Sequence, residues 1–361
     1  MARLIQSFDY KFYNNKTVLV TGATGFKGSW LCKILTLLGA NVIGCGLEPN
    51  TTPSLFGLLN LQTQIKTYFF DIRDFQKLYD VLNFHKPEIV FHLAAQPLVR
   101  DSYAAPAYTY ETNVLGTIDI LEAIRLTGFV KSFINVTTDK VYLNREWDWG
   151  YRENEELNGY DPYSNSKTCS DLITQTYTRC FFEQSGVAAS VLRAGNVIGG
   201  GDFSKNRIIP DCFRAACESK PIQIRNPHSV RPFQHVLEPL FAYLLVAEKQ
   251  YKNKKLSGAY NIGPDDKDCV SVDALVSMFI KNWGSLPKKY SSTQHAPHES
   301  TYLKLDCSKI KKTFDWTPTW SLDVAISKTV DLYKAIHEKQ NINSCMNEQI
   351  REFLKERGIS V

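Results

Sequence analysis

The sequence has no apolar run near the roughly 20 residues that span a bilayer, although 43% of its 361 residues are hydrophobic. Its first residues lack the apolar segment and small-residue cleavage site of a secretory signal. The nine cysteines form no Cys-x-x-Cys pair and the seven histidines no His-x-x-x-His pair. Neither a disulfide framework nor a zinc site is expected from these spacings, and we predict a cytoplasmic protein without a metal centre.

The charges form no blocks of one sign. There are 42 basic and 37 acidic side chains, a net charge of +5, and they are spread along the chain. This distribution argues against nucleic acid or a membrane surface as the main partner. The length indicates two lobes, or one large α/β domain with an appended piece. We find no internal repeat.

Short apolar runs alternate with longer helical patterns through the first half of the chain. Near-continuous apolar strands between helices are typical of a parallel sheet covered on both faces. The sequence therefore predicts an α/β fold with a Rossmann-type, doubly wound parallel sheet, and ligands at the carboxyl ends of its strands. The predicted strands are 17–22, 41–47, 67–71, 88–95, 131–138 and 188–195, with helical spacing at 28–38 and 113–126.

The pattern changes after residue 196, where short polar pieces containing Gly and Pro separate brief helices. We predict a cofactor-binding domain over 12–195, joined by a returning strand near 258–263, and a smaller substrate-binding lobe over 196–335. The remaining residues, 336–361, form a helical tail. Met346, Ile350, Phe353 and Leu354 share one face of an exposed-looking helix there, which predicts packing or subunit contact.

A glycine-rich loop follows the first predicted strand and opens a helix. Gly22, Gly25 and Gly28 stand three residues apart, a spacing that allows a tight turn and close approach of the backbone to a pyrophosphate. Isolated glycine triplets occur in many turns, so the position between strand and helix carries the argument. We predict a dinucleotide site formed by Gly22, Thr24, Gly25, Phe26, Lys27 and Gly28.

Acidic residues end the second and third predicted strands. Glu48 lies 20 residues beyond Gly28, where a carboxylate can bond the adenosine 2′-hydroxyl and repel a 2′-phosphate. Asp71 and Ile72 are placed to meet the edge and face of the adenine. Each acid is equally explained as a solvated loop residue, and Lys27 would favour extra phosphate charge. The pattern favours NAD over NADP.

Tyr163 and Lys167 are four residues apart, so on a helix their side chains point the same way. A nearby ammonium lowers the pKa of a phenol from its usual value of about 10, which would make Tyr163 a base. Most such pairs are only helix surface. The preceding strand, however, ends in Thr138-Asp139-Lys140, which supplies a hydroxyl, although these three residues could also simply cap a turn. With the glycine loop they indicate a catalytic site.

These motifs, in this order, resemble the extended short-chain dehydrogenase/reductase family and, within it, the nucleotide-sugar 4,6-dehydratases. The similarity is carried by TGATGFKG, HLAAQPLVR, ETNVLGT, TTDKVYLNREWDWG, DPYSNSK, RAGNVIGGGD, RNPHSVRPFQHVLEPL and PHESTYLKLDCSK, and runs from about residue 12 to about 335. Lys140 is the most discriminating residue, because the dTDP-glucose and GDP-mannose relatives have Glu there. The resemblance is strongest to the branch that acts on CDP-glucose; other nucleotide sugars, or 4-epimerisation, are the alternatives.

The resemblance implies further site residues. Those matching cofactor positions, beyond the loop and the two acids, are Leu93, Ala94, Ala95, Gln96, Asn113, Tyr163 and Lys167. Those matching substrate positions are Gln96, Arg100, Asn196, Arg207, Ile208, Arg225, Arg231, His298 and Tyr302. A guanidinium fork suits a pyrophosphate, although a single surface arginine is more often only solvated.

The resemblance also implies a reaction. Tyr163 would take the proton of the sugar 4-hydroxyl, with Thr138 bonded to the same oxygen, while hydride passes from C4 to NAD. Asp139 would then protonate the departing 6-hydroxyl, which requires a raised pKa, and Lys140 would remove the C5 proton or tune Asp139. An epimerase has no elimination to catalyse and would not need this pair.

Relatives in this family pair two helices from each subunit, which here correspond to 106–126 and 163–186. The resemblance therefore implies a homodimer, or a tetramer built from dimers, that acts in deoxysugar biosynthesis for a surface polysaccharide such as lipopolysaccharide O-antigen. Trp147 and Trp149 lie between the two catalytic motifs, where they either cover the sugar or pack internally.

Overall fold

A parallel sheet of seven strands organises the computed structural model, which describes residues 8–290 and 302–359. The strand order is β11-β6-β5-β4-β1-β2-β3, and every neighbouring pair is parallel. The strands of this sheet are β1 Thr17–Thr21, β2 Asn41–Gly46, β3 Lys66–Phe69, β4 Ile89–His92, β5 Ser132–Thr138, β6 Ala188–Ala194 and β11 Ala259–Ile262. The predicted doubly wound fold, including the strand that returns to the sheet, is confirmed.

Within residues 8–290 and 302–359, three two-stranded sheets lie outside this sheet. Their strands are β7 Val197–Ile198, β8 Ile222–Ile224, β9 Val230–Pro232, β10 Gln234–His235, β12 Cys269–Ser271 and β13 Lys288–Tyr290. The helices are α1 Phe26–Leu37, α2 Leu55–Leu58, α3 Phe75–His85, α4 Val99–Ala104, α5 Pro106–Tyr110, α6 Gly116–Thr127, α7 Pro162–Tyr177, α8 Glu183–Ser185, α9 Ile208–Cys217, α10 Leu237–Lys252, α11 Val272–Trp283, α12 Ser308–Phe314, α13 Leu322–His337 and α14 Ile342–Glu356. Among the described residues, none of these helices is both long and apolar enough to cross a membrane.

The central strands form because they can bury both faces. All seven residues of β5 and all seven of β6 are buried, as expected for strands with helices above and below. One apolar core joins the sheet to α1 and α10, and a second joins the opposite face to α3 and α6. The carboxyl ends of β1, β4, β5 and β6 thus meet at one edge, where the sequence motifs lie.

The chain beyond residue 196 contributes to both parts of the molecule. A third apolar core is formed by α9, α11 and α13 with β8. Within the same stretch, α10 returns to the main sheet, where Gln250 donates to the carbonyls of Phe133 and Ala188, and β11 pairs with β6. The three-way division of the chain remains a prediction, and α10 belongs physically with the sheet.

The C-terminal helix α14 packs against the rest of the chain. Met346, Ile350, Phe353 and Leu354 are at most 2% exposed and join the core that contains α1 and α10. The predicted apolar face of this helix is therefore confirmed. The prediction of an exposed helix is wrong, because this face is buried against the rest of the chain. Its buried face is covered within one chain by the Phe241 and Trp320 rings, which lie 5.0 and 5.1 Å from Phe353.

Glu238 on α10 is a buried carboxyl that makes stability depend on pH. It is 1% exposed, accepts hydrogen bonds from the amides of Thr319 and Trp320 at 2.9 and 2.7 Å, and lies 3.9 Å from Arg357. Burial raises the pKa of Glu238 to about 7. The protonated carboxyl of Glu238 therefore stabilises the folded state. This stabilisation is fully present below the pKa of the unfolded state, about 4.3, and is lost as the pH rises to about 7.

We expect Glu238→Gln to remove this pH dependence. As the pH rises from about 5 to about 8, the free energy of unfolding of the variant should increase relative to that of the natural protein by on the order of 2 kcal/mol. Urea unfolding at several pH values measures this difference. A difference that stays constant with pH would contradict the assignment.

Candidate active site

The glycine loop between β1 and α1 has the geometry that a pyrophosphate requires. Gly22 has a φ of +70°, and a Cβ there would lie 2.7 Å from the amide nitrogen of Ala94. A Cβ on Gly28 would lie 2.0 Å from the carbonyl oxygen of Gly22, so only glycine allows this helix to approach the strand. Gly25 caps α1 without a side-chain hydrogen bond, which leaves the amides of the first turn available to an anion. The loop fits a dinucleotide.

The remaining adenosine-side predictions are arranged around this loop. The Thr24 hydroxyl donates to the Leu47 carbonyl at 2.8 Å, and Glu48 is exposed just after β2. Asp71 is held by Arg73, whose Nε and Nη2 donate to it at 2.9 and 2.8 Å, and these hydrogen bonds lower the pKa of Asp71. The carboxylate predicted to meet the adenine edge is thus fixed by a neighbour that sequence reasoning did not identify.

Ile72 and Gly116 pack tightly beside this position. Ile72 is 6% exposed, and a Cβ on Gly116 would lie 2.7 Å from its Cγ2. Phe26, in the first turn of α1, is half-buried against the core beneath the loop.

The loop after β4 is held in place by Asn113. Its Oδ1 accepts from the Gln96 amide at 2.8 Å, and its Nδ2 donates to the Gln96 carbonyl at 3.1 Å. Leu93, Ala94 and Ala95 are half-buried between this anchor and the glycine loop. Asn113 therefore acts on the predicted cofactor site through the backbone.

The Gln96 side chain does not face the sugar pocket as expected. Its Nε2 donates to Thr109 at 2.9 Å and to the Leu98 carbonyl at 3.1 Å, and its Oε1 accepts from the Leu98 amide. All the polar atoms of this amide are therefore used inside the protein, and they shape the loop that leads into α4, the helix that carries Arg100.

One cavity of about 360 Å³ opens at the carboxyl ends of β5 and β6. It is lined by eleven residues that the sequence predicts for the site: Lys27, Arg100, Thr138, Asp139, Lys140, Tyr163, Asn196, Arg207, Ile208, Arg225 and Arg231. The cavity thus brings together groups from the glycine loop, two strand ends, α7 and the second lobe.

Helix α7 carries Tyr163 and Lys167. It begins after Asp161, whose carboxylate accepts from the Ser164 amide at 3.0 Å, and Pro162 at the first position favours the start of the helix. The Nζ of Lys167 donates to the carbonyl of Val136 at 3.0 Å. Burial lowers the pKa of Lys167 to about 8, an effect that the charge of Asp171 opposes.

The pKa of Tyr163 moves in the direction opposite to the sequence expectation. Burial raises the pKa of Tyr163 to about 12, although the hydrogen bond with Thr138 and the charge of Arg207 oppose this rise. The cost of placing a phenolate in a poorly solvated site is larger here than the stabilisation from nearby cations. In the free protein Tyr163 therefore keeps its proton at neutral pH.

Asp139 and Lys140 form an ion pair at the end of β5. The Nζ of Lys140 donates to Oδ1 of Asp139 at 3.2 Å, and the Thr138 hydroxyl donates to the same oxygen at 2.9 Å. Asp139 is 1% exposed, and its Oδ2 is buried with no hydrogen-bond partner in the part of the chain that the structure describes. Lys140 also contacts Oδ1 of Asn196 at 3.4 Å. A buried acid with one open oxygen and an adjacent amine is suited to proton transfer.

Cationic side chains from the second lobe face the same cavity. Arg207 pairs with Asp202 at 3.1 Å, and Arg225 donates to Asn206 at 3.3 Å. Arg231 is 8% exposed, and its Nη1 donates to the carbonyl of Val230. Ile208 begins α9 beside these groups. The cluster is suited to a diphosphate.

Lys27 belongs to this cationic group as well as to the glycine loop. Burial, together with the charges of Arg207 and Lys167, lowers the pKa of Lys27 to about 7. A bound diphosphate would favour its charged form. The lysine of the loop thus faces the region between the predicted cofactor and substrate positions.

A further predicted substrate residue is placed elsewhere by the structure. Tyr302 is half-buried outside the cavity lining, and its amide donates to Glu146 while its carbonyl accepts from Asn144. His298 lies outside the described residues.

Trp147 stacks on Tyr151 with ring centres 5.2 Å apart and packs internally.

Other residues that line the cavity were not predicted from the sequence. They are Tyr142, Asn144, Tyr160, Asp202, Asn206, Gln223, Phe233, Val272 and Leu303, among others. Asp202 follows a glycine run, a weak signal for a loop at a ligand. The others have no local signal, because the fold brings them to the cavity from distant segments. Among the described residues there is no group of three or more His, Cys, Asp or Glu that could hold a metal ion.

Comparisons with known proteins agree with this geometry. Residues 19–329 match the family model described as GDP-mannose 4,6 dehydratase. The chain is 46% identical over 352 residues, covering 96% of this chain and 98% of the relative, to the CDP-glucose 4,6-dehydratase of Salmonella typhimurium.

Solved structures share the fold. The UDP-glucose 4-epimerase of Thermotoga maritima with UDP-glucose superimposes with a TM-score of 0.77 at 24% identity, covering 89% of this chain and 99% of that one. MoeE5 in complex with UDP-glucose and NAD gives a TM-score of 0.74 at 25% identity, with coverage of 89% and 99%.

Proposed function

The chain belongs to the GDP-mannose 4,6-dehydratase family, and we propose that it converts CDP-glucose to CDP-4-keto-6-deoxyglucose, using NAD. The observation that carries this proposal is one cavity lined both by Tyr163, on the helix that also carries Lys167, and by the Asp139–Lys140 ion pair. The first pair is what alcohol oxidation needs, and the second is what loss of water needs. The reaction makes the enzyme a hydro-lyase.

NAD would be held by the glycine loop, with Asp71 and Ile72 beside the adenine and Glu48 beside the ribose. When bound there, NAD would supply a hydride acceptor for C4 of the sugar and a hydride donor for C6, so no net oxidant would be consumed. MoeE5, which is similar over most of the chain, is a complex with NAD. The exposed Glu48 after β2 favours NAD over NADP, because a carboxylate there repels a 2′-phosphate.

Oxidation at C4 requires removal of the hydroxyl proton. Tyr163 is the base, and Thr138 bonds the same sugar oxygen from the end of β5. Lys167 lies on the same face of α7 one turn further on, and its ammonium favours the phenolate. Because burial raises the pKa of Tyr163 to about 12, proton removal is the step that most needs this cation.

Elimination across C5 and C6 uses the ion pair. Transfer of one proton from Lys140 to Asp139, along the 3.2 Å contact, converts the ion pair into a neutral acid and a neutral amine. The amine of Lys140 can then take the C5 proton that the 4-keto group has acidified. The carboxylic acid of Asp139 gives its proton to the departing 6-hydroxyl, and the water that leaves balances the two transfers.

The diphosphate and base of the substrate would lie against the second lobe. Arg207, Arg225 and Arg231 bring three guanidinium groups to the cavity, and Asn196 adds an amide beside Lys140. The cytosine assignment rests on the 46% identical relative, which acts on CDP-glucose by name. A dehydratase or 4-epimerase for GDP-mannose, dTDP-glucose or UDP-glucose is the alternative.

The test offers the protein NAD and four sugars separately: CDP-glucose, dTDP-glucose, UDP-glucose and GDP-mannose. We expect the mass of CDP-glucose alone to fall by one water, without lasting accumulation of reduced cofactor. Loss of water from another sugar only would overturn the cytidine assignment and keep the reaction. A new C4 epimer of unchanged mass would overturn the dehydratase.

We also infer that the protein is a cytoplasmic homodimer, or a tetramer of dimers, in deoxysugar synthesis for a surface polysaccharide such as O-antigen. The dimer is supported by exposed apolar side chains on α5, α6 and α7, among them Tyr108, Leu126 and Leu172. Burying such a stripe against a second copy would remove it from water.

Leu172→Arg is expected to convert the dimer into a monomer, because a charge would be buried at the centre of the helix pairing. Sedimentation velocity measures the change. Leu58→Arg, an exposed apolar position on α2, whose buried residues join the core on the sheet face opposite α6, is the matched control and should leave the mass unaltered. Dissociation by both variants, or by neither, would contradict the proposed interface.

A further inference from the structure

A buried ion pair beneath the active site has no part in the chemistry described above. Asp171 on α7 and Arg193 on β6 have no exposed side-chain area. Nε and Nη2 of Arg193 donate to the two oxygens of Asp171 at 2.8 and 3.0 Å. Burying two charges is expensive, and an apolar pair of similar volume often gives equal or greater stability. Stability alone therefore does not account for this pair, and its role is to be sought in the segments that it holds together.

The Asp171 end of this pair joins the catalytic helix to β5. Asp171 follows Lys167 by one turn and Tyr163 by two turns of α7, so the three lie on one face. Its carboxylate also accepts from the hydroxyl of Thr137 at 3.3 Å. Thr137 precedes Thr138 on β5, and it pairs with Arg193 across the sheet. This end fixes α7 against the strand that carries the site.

The Arg193 end holds the segment that follows Asp139 and Lys140. Its Nη1 donates to the hydroxyl of Tyr142 at 2.8 Å, and the guanidinium lies 5.0 Å from the centre of that ring. The Tyr142 hydroxyl in turn donates to Asn261 on β11 at 2.6 Å. Tyr142 is two residues beyond Lys140, so this end fixes the ion-pair segment.

We propose that Asp171, Arg193 and Tyr142 form a positioning unit that holds the elimination pair, Asp139 and Lys140, in place relative to the oxidation pair, Tyr163 and Lys167. This inference rests on the proposed function, because only a reaction with both steps on one sugar needs both pairs aligned. A misplacement of about 1 Å can cost about 100-fold in rate. Tyr142 also lines the cavity, but its hydroxyl is bonded to Arg193 and Asn261, so the unit acts by positioning the residues that react.

Tyr142→Phe tests the unit with a small change. The ring keeps its stacking on Tyr151, 5.3 Å away, while Arg193 and Asn261 lose a hydrogen-bond partner. We expect elimination to slow about tenfold and oxidation at C4 to change less than about twofold. Reduced cofactor should therefore accumulate during turnover of CDP-glucose, whereas no lasting accumulation is expected for the natural protein.

The matched control is Tyr13→Phe, which removes another fully buried tyrosine hydroxyl, bonded to the Leu244 carbonyl far from the cavity. It should lower stability without accumulation of reduced cofactor. A second readout uses the free protein: backbone amides of residues 139–142 should exchange hydrogen faster in Tyr142→Phe and unchanged in Tyr13→Phe. Thr137→Val, which cuts the β5 link, should repeat the accumulation if Tyr142→Phe does not fold.

Equal slowing of oxidation and elimination in Tyr142→Phe, or behaviour identical to Tyr13→Phe, would overturn the positioning unit. Failure of the proposed function looks different, because the natural protein itself would then release no dehydrated product from any sugar. A full rate for Thr137→Val with unchanged amide exchange would also count against the unit.

Discussion

Replacing Tyr163 by Phe is expected to lower kcat for CDP-glucose by about 10³-fold, because general-base catalysis contributes about 10²–10⁴-fold and nothing else replaces the phenol. Thr138 would remain to bond the sugar oxygen but cannot accept its proton. Substrate affinity should change little, since the arginines of the second lobe are untouched. Single-turnover kinetics, with binding measured by calorimetry, separate the two effects.

The pH dependence adds a sharper form of the same prediction. Burial raises the pKa of Tyr163 to about 12, so the base form is scarce at neutral pH and becomes more common as the pH rises. For the natural protein kcat/KM should therefore rise with pH until Lys167, whose pKa burial lowers to about 8, begins to lose its charge. The residual activity of Tyr163→Phe should lack the rise.

The control for this experiment is Tyr260→Phe, a buried tyrosine on β11 whose hydroxyl donates to the Leu256 carbonyl. Its kcat should stay within about threefold of the natural value, as expected for a hydrogen bond away from the reacting atoms. If Tyr163→Phe kept more than a tenth of the natural kcat, the role of Tyr163 as the base would be wrong.

Removing either member of the elimination pair should stop the reaction after its first half. In Asp139→Asn and Lys140→Met we expect loss of dehydrated product by about 10²–10⁴-fold, while oxidation at C4 continues on Tyr163 and Thr138. Reduced cofactor should therefore accumulate to nearly one per site. Product mass and the absorbance of the reduced cofactor measure the two halves separately.

Solvent deuterium divides the roles within the pair. A base at C5 lets that position exchange once the 4-keto group has formed. If Lys140 is the base, Lys140→Met should show no deuterium at C5, whereas Asp139→Asn should exchange at C5 only slowly, because the amide cannot take the proton of Lys140, and should still fail to lose water. The reverse pattern would exchange the two roles. Full dehydration by both variants would show that neither residue takes part in elimination.

The motifs that sequence reasoning identified are local in the chain. The glycine loop needs three residues at fixed spacing between a strand and a helix, and the structure shows why, since Cβ atoms on Gly22 and Gly28 would overlap backbone atoms. Tyr163 and Lys167 need one helical turn. The order of motifs along alternating strands and helices also predicted the sheet, because each strand end contributes one motif to the same edge.

What the sequence did not reveal depends on distant contacts. The direction of the Tyr163 pKa shift is set by how deeply the fold buries the phenol, and the inward turn of Gln96 is set by Thr109 and Leu98. The link from Asp171 through Arg193 to Tyr142 joins α7, β6 and the segment after β5. No spacing in the sequence predicts this link.

The sequence alone determined the fold class, and it predicted the dinucleotide loop and the groups proposed for proton transfer, because these follow from periodicity and from residues close together in the chain. The tertiary structure decided which atoms of those groups are open, which are already paired, and how strongly burial shifts their pKa values. Solvation and side-chain contacts between remote segments are properties of the packed molecule, and they exist only once the sheet and its covering helices have formed.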